Sequence, residues 1–372
     1  MLLTDYMQQV EKTDKISPEL EPVLFGIFGE VGSIMATAKK LHREKDAFAG
    51  YKYAVIDEFG DVLWYLTALC RRLKIGVDAV FSDAIAMGGY TSALAASNIP
   101  DWPVAVASRV SVTEELDLVL LKLGEAAAAL LSITPVTSNV KAKLCSFADC
   151  YLKALQAAKL TFSQIADNNI VKTRGRFLDP DYSSLPTFDE TFEEEEQIPK
   201  NFEITIFQRK SGKSYLQWNG VFIGDPLTDN ILDEDGYRFH DVFHFAHASV
   251  LHWSPIFRAL IKHKRKSIPK VDETQDGGRA IVVEEGLTAW IFARAKELDF
   301  FKDQKQISFD MLKTIQQFVR GYEVERCPLR LWEDAILQGY DVFRQIRAKN
   351  GGIVTGDREN RRVSYKPAKG TI

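Results

Sequence analysis

Apolar residues recur at spacings of three and four through most of residues 1–178, and runs of β-branched residues are few there. That period puts one apolar stripe on each helix. It predicts helices over 3–13, 19–43, 51–74, 77–87, 113–132, 139–158 and 162–174. Pro100, Trp102 and Pro103 interrupt the pattern. Beyond residue 201 the period changes. Phe202-Glu203-Ile204-Thr205-Ile206-Phe207 alternates, Lys210-Ser211-Gly212-Lys213 turns, and the stretch from Tyr215 to Ile223 returns, which predicts a β-hairpin. Helical spacing resumes near 238–251, 254–262, 279–298, 307–319 and 329–347. The expected fold is mainly α. Residues 1–178 form an all-α helical bundle, and residues 201–348 form a C-terminal α+β domain, mostly helical, with a β-hairpin. Residues 179–200, with three prolines and the run Glu193-Glu194-Glu195-Glu196, read as an acidic linker. Residues 349–372 read as a loose, basic, Gly-rich tail.

The helical half carries an internal echo. Leu123-Gly124-Glu125 resembles Phe28-Gly29-Glu30, and Phe147-Ala148-Asp149 resembles Phe59-Gly60-Asp61. Two helical hairpins that cannot bury their apolar faces alone would pack as one bundle. Chance similarity between amphipathic helices competes with that reading. The second copy has lost most of its acids.

Those acids carry the first candidate chemistry. Glu58 and Asp61 are three residues apart and share a helix face. Like charges at that spacing repel, so a purely structural helix gains nothing from the pair. Val55, Ile56, Val62, Leu63, Leu66 and Leu69 surround them with apolar residues. Glu30 lies on the preceding helix, and a tight connection around 42–50 would bring it opposite Glu58 and Asp61. Gly29, Gly32 and Gly60 would let the helices approach closely. Three carboxylates between helices make a hard-cation site suited to Mg2+, with Mn2+ as the alternative ion. Trp64, one turn beyond Asp61, reads as core rather than as a platform for a base.

Gly29-Glu30-Val31-Gly32 and Glu58-Phe59-Gly60-Asp61-Val62-Leu63-Trp64-Tyr65-Leu66 resemble the MazG-like all-α nucleoside triphosphate pyrophosphohydrolases. The resemblance implies Mg2+-dependent cleavage of a nucleoside triphosphate to the monophosphate and pyrophosphate. It also implies metal-binding and catalytic roles for Glu30, Glu58 and Asp61. The family carries a fourth acid where this chain has Ser33, which removes one ligand charge. A later stretch, Asn169-Ile170-Val171-Lys172-Thr173-Arg174-Gly175-Arg176, resembles the end of such a domain. By that resemblance Asn169, Lys172 and Arg176 contact the phosphates; the competing reading is a basic helix C-terminus favoured by the helix dipole. Either Glu58 or Glu30 is the candidate to activate water. A non-catalytic nucleotide sensor remains the alternative. The assembly expected is a homo-oligomer.

A second constellation lies downstream, where five of the six histidines fall between 240 and 263. His240, Asp241, His244 and His247 crowd a turn and a half, with metal-ligand spacing between His240 and His244. Glu284 and Glu285 follow on another apolar helix. The set suits a second, transition metal such as zinc, manganese or iron, or acid–base chemistry without metal. Its use as the hydrolase centre, with a degenerate N-terminal module, is the other enzymatic reading. His263-Lys264-Arg265-Lys266 reads as a basic patch on a solvated loop. This half resembles the C-terminal domain attached to some MazG-like proteins.

Composition narrows the partners. The 372 residues are 46% hydrophobic and 26% charged with net charge −4, so no global basic surface calls for nucleic acid. No apolar run spans a bilayer, and the N-terminus lacks a signal-peptide pattern. The four cysteines form no CxxC pair, which makes a reducing cytoplasm the expected location. There is neither a Walker-type loop nor a GxSxG elbow.

Overall fold

The computed structural model describes residues 3–87, 115–134 and 136–368. Packing divides the chain into two units, Met1–Leu178 and Asp179–Ile372. Pro100, Trp102 and Pro103, and the first residues expected of a helix over 113–132, lie outside the described residues. The fold is mainly α, with one antiparallel sheet in the second unit.

In the first unit the apolar spacing becomes α1 (Leu3–Thr13), α2 (Glu21–Glu44), α3 (Tyr51–Arg72), α4 (Val77–Met87), α5 (Leu116–Leu130), α6 (Val140–Ala157) and α7 (Phe162–Phe177). Local chemistry sets several ends. Pro22 stands in the first turn of α2, where its missing N–H leaves no helical bond unmade. Thr161 Oγ1 accepts a hydrogen bond from the Gln164 amide at 3.3 Å and caps α7. A single 3-10 turn at Lys45–Ala47 separates α2 from α3, so the two helices fold back on each other. α5 and α6 form a second packed pair. The stripes meet in one core in which Tyr6, Ile27, Phe59, Leu66, Leu123, Phe147, Tyr151 and Ile165 are fully buried. In the second pair Glu125 is exposed and Asp149 is bound to Lys153 at 2.6 Å. Those echoes of Glu30 and Asp61 build no acid cluster among the described residues.

The second unit contains a five-stranded antiparallel sheet in the order β3-β2-β1-β4-β5. Its strands are β1 (Asn201–Gln208), β2 (Ser214–Trp218), β3 (Val221–Leu227), β4 (Gly351–Asp357) and β5 (Arg362–Lys366). Phe202, Ile204 and Ile206 of β1 face inward, as the alternation requires. The helices are α8 (Asp241–Ala246), α9 (Pro255–Ile261), α10 (Pro269–Thr274), α11 (Gly278–Lys296), α12 (Phe309–Phe318) and α13 (Leu329–Lys349). α8 and α13 pack together and against β4 and β5.

Four sequence expectations need correction here. The stretch 215–223 is not one returning strand. Asn219 and Gly220 both take positive φ, 48° and 78°. They form the tight turn that such a pair favours, and the chain reverses into β3. Residues 349–372 are not a loose tail through their whole length. β4 pairs along β1 from Asn201↔Asp357 to Phe207↔Gly351, and β5 pairs with β4. The glycines that suggested looseness are sites of close approach: a Cβ on Gly356 would lie 2.1 Å from the Phe202 ring.

Residues 179–200 are not a solvated linker either. Phe188 and Ile198 are buried, and Asp189 is 1% exposed. Asp189 accepts from Arg258 Nη2 at 2.6 Å, Arg358 Nη2 at 2.7 Å and the Ile198 amide at 2.8 Å. Burial opposes its charge, but Arg358 and Arg258 hold its carboxyl below the ordinary value. The expected basic patch is also partly internal. Arg265 is buried and clamped by Asp276 and Glu323. Truncating one member of a buried ion pair leaves its partner uncompensated. Asp189→Ala is therefore expected to destabilise the chain by about 3–5 kcal/mol, read as a lower midpoint in urea unfolding. A loss below 1 kcal/mol would contradict a buried, ordered segment.

Candidate functional site

The helical hairpin of α2 and α3 brings Glu30, Glu58 and Asp61 together. One carboxylate oxygen from each lies within 4.8 Å of the others, and all three side chains are half-buried. Glu30 comes from the middle of α2, and Glu58 and Asp61 from adjacent turns of α3, so helical spacing and the short connection suffice to build the cluster. Crowding shows in Glu30. Burial, the negative charges of Asp61 and Glu58, and a hydrogen bond with Glu58 push its carboxyl up to about 8, against an opposing pull from Lys172.

α7 supplies the positive side. Lys172 Nζ lies 2.5 Å from both Asp57 Oδ1 and Asp61 Oδ1. Asn169 is fully buried, and its Nδ2 donates to Asp61 Oδ1 at 3.1 Å. The Asn169 oxygen accepts from the Tyr6 hydroxyl at 2.9 Å, which fixes the amide's orientation. Burial first, then Tyr151 and Asp61, push the Tyr6 phenol well above its ordinary value, so it remains a donor. Arg176 is buried on the same helix. The structure thus joins Asn169 and Lys172 to the acid cluster through Asp61.

Sequence reasoning missed Asp57 and Tyr6. Asp57 lies four residues before Asp61 on the same face of α3, a spacing that was available to be read. Tyr6 gave no signal beyond its place in an apolar stripe. The glycines also sort differently from expectation. Gly29 and Gly32 face open space. Gly60 makes the close approach, since a Cβ there would meet the Asn169 Cβ at 3.0 Å, and Gly26 lies under the Tyr65 ring. Trp64 is core: it is 6% exposed, and its Nε1 donates to Thr13 Oγ1 at 3.0 Å.

The second constellation is also assembled. α8 presents His240 as its N-cap, then Asp241 and His244, and runs on into a π-helical turn, His247–Leu251. Such widened turns are frequent at functional sites. His240, Asp241 and His244 form one buried group, and His244, His247 and Glu284 form another. Glu284 Oε1 lies 3.1 Å from His244 Nδ1 and 2.9 Å from His247 Nδ1. Its Oε2 accepts from Ser254 Oγ and the Ile256 amide, both at 3.0 Å. Glu285 reaches His240 Nε2 and His244 Nε2, each at 3.1 Å. Burial opposes a charged His244, but Glu284 and Glu285 raise it to about 10. Burial likewise opposes a charged Glu284, but His244 and His247 lower it to about 2.

The raised Glu30 carboxyl has a thermodynamic consequence. The folded chain keeps its proton up to about pH 8, whereas the ordinary value is 4.5. Stability from the protonated group is complete below the lower value and is lost as pH rises toward the upper one. The midpoint of thermal unfolding of the metal-free chain is expected to fall between pH 5 and pH 8. Glu30→Gln should flatten that slope. Added Mg2+ should raise the midpoint more at pH 8 than at pH 5. An unchanged slope in the variant would remove Glu30 as its source.

Among the described residues, no helix is long and apolar enough to cross a membrane. No curated protein and no solved structure matches the chain. The family model for the MazG C-terminal domain matches residues 183–369, just over half of the chain, and includes the whole histidine constellation. The chain belongs to the MazG C-terminal domain family.

Proposed function

We propose that this protein is a Mg2+-dependent nucleoside triphosphate pyrophosphohydrolase, converting a ribo- or deoxynucleoside triphosphate to the monophosphate and pyrophosphate. The observation that carries the reading is the convergence of Glu30, Glu58 and Asp61 within 4.8 Å between two packed helices. The donor set fits the ion. All donors are carboxylate oxygens, which suit a hard cation. The proton retained by Glu30 marks excess negative charge that a cation would relieve.

Glu30, Glu58 and Asp61 would hold the ion, which supplies charge neutralisation for phosphate oxygens. Lys172 and Arg176 bring cationic donors, and Asn169 an amide donor, to the phosphate chain. Gly60 and the Tyr6 hydroxyl keep Asn169 in register with Asp61. Cleavage forms a bond from water oxygen to the α-phosphorus and breaks the bond from that phosphorus to the bridging oxygen. The water proton passes to a carboxylate, Glu58 or Glu30.

Two features support a second reading, that of a sensor that binds nucleotide without cleaving it. Ser33 stands where the resembling family has a fourth acid. Lys172 already neutralises Asp57 and Asp61.

A panel of nucleoside triphosphates with Mg2+ or Mn2+, scored for pyrophosphate against phosphate, separates the readings. Pyrophosphate release is expected. Glu58→Gln should lower the rate about 100-fold or more, the scale of losing a general base or a metal ligand, with the circular dichroism unchanged. Tight nucleotide binding without pyrophosphate would establish the sensor. Activity that survives Glu58→Gln and disappears in His244→Ala would move catalysis to the histidine constellation.

A further inference from the structure

The hydrogen bonds around His240 and His244 leave their two outer nitrogens in an unusual position. His240 Nδ1 lies 2.9 Å from the Tyr237 carbonyl oxygen. A carbonyl only accepts, so Nδ1 carries the hydrogen. His244 Nδ1 lies 3.1 Å from Glu284 Oε1. Glu284 also takes hydrogens from Ser254 Oγ and the Ile256 amide and lies 2.9 Å from His247 Nδ1. It is an ionised acceptor, and His244 Nδ1 donates to it. A neutral imidazole with hydrogen on Nδ1 presents a lone pair at Nε2. Both Nε2 atoms face the Glu285 carboxylate, each at 3.1 Å. Lone pairs aimed at carboxylate oxygens repel unless positive charge lies among them.

Either a proton on each ring or one divalent cation supplies that charge. One observation favours the cation. Asp241 is 6% exposed and accepts no hydrogen bond among the described residues, yet its carboxylate stands within 4.8 Å of ligand atoms on both histidines. The four ring nitrogens face the Tyr237 carbonyl, Glu284 and Glu285 and leave that carboxylate without a hydrogen bond from either ring, whereas a cation placed among them would coordinate it. The supports match as well. Metal-bound imidazoles donate their other nitrogen to a carboxylate or a backbone carbonyl, which fixes the ring. Glu284 and the Tyr237 carbonyl hold these positions.

We propose that the MazG C-terminal domain of this chain binds one first-row divalent transition ion through His240 and His244 Nε2 and the carboxylates of Asp241 and Glu285. Glu284, which the spacing alone had offered as a ligand, is a positioning residue for His244 and His247. Two imidazoles with two carboxylates select zinc, manganese, iron or cobalt over magnesium. The Glu285 side chain is 42% exposed, so one side of the ion meets solvent and is open to a water or a substrate oxygen. The site shares no residue with the carboxylate cluster of the first unit and does not depend on the activity proposed for it.

Co2+ is the probe, because nitrogen and oxygen ligation gives visible ligand-field absorption. The untagged full chain carrying Glu30→Gln and Glu58→Gln, stripped with chelator, is titrated with Co2+. One ion per chain is expected, with the visible bands retained in a large excess of Mg2+. His240→Ala should weaken binding by more than about tenfold, since even loss of a supporting residue costs that much. Glu285→Gln, at the exposed rim, leaves the buried network in place and should weaken binding likewise, so a folding failure of His240→Ala does not decide the matter. No visible bands, bands abolished by Mg2+, or full affinity in folded Glu285→Gln would overturn the proposal.

Discussion

Like charge confined between packed helices is the constraint around which the first unit is arranged. Two full charges about 5 Å apart repel by about 3 kcal/mol at an effective dielectric constant near 20. Three such pairs would consume much of the stability of a typical domain, about 5–15 kcal/mol. Glu30 keeps a proton, while Lys172 and Asn169 reach across from α7 to satisfy Asp61. Each compensation is reversible. Unlike an apolar core, such a site keeps its geometry while its charge state changes.

The second unit meets the same difficulty with different residue types. Glu284 has no exposure at all, yet its four close polar neighbours come from α8, its π-helical extension, Ser254 and the start of α9. Full satisfaction makes a buried carboxylate a fixed reference point rather than a liability. Neighbouring Glu285 points outward and is far less enclosed. Two consecutive glutamates on one helix thus serve different ends, one organising the histidines from behind and the other facing them from the solvent side.

Periodicity made most of the helices legible, because burying one stripe per helix is a local requirement. The acid cluster was legible too, since Glu58 and Asp61 share a face and a tight connection around 42–50 puts Glu30 opposite. What escaped depended on partners distant in sequence. Nothing near Asp189 announces Arg258 and Arg358, so a short acidic, proline-bearing stretch read as a linker. β4 and β5 were hidden because their glycines suit close strand packing against Phe202 and Tyr365, while glycine and basic charge elsewhere mark loose chain. The split of labour between Glu284 and Glu285 was likewise invisible until hydrogen-bond direction could be followed.

The pairing of β1 with β4 carries a consequence for how the second unit is made. Asn201 aligns with Asp357, so β1 leaves the ribosome long before the strand that completes its far side. Until then its outer rim of amides and carbonyls is bare and open to wrong partners. Closure must also wait for a long intervening loop to order, which slows folding. On the nascent chain this domain is a sheet with an open flank until β4 emerges and pairs.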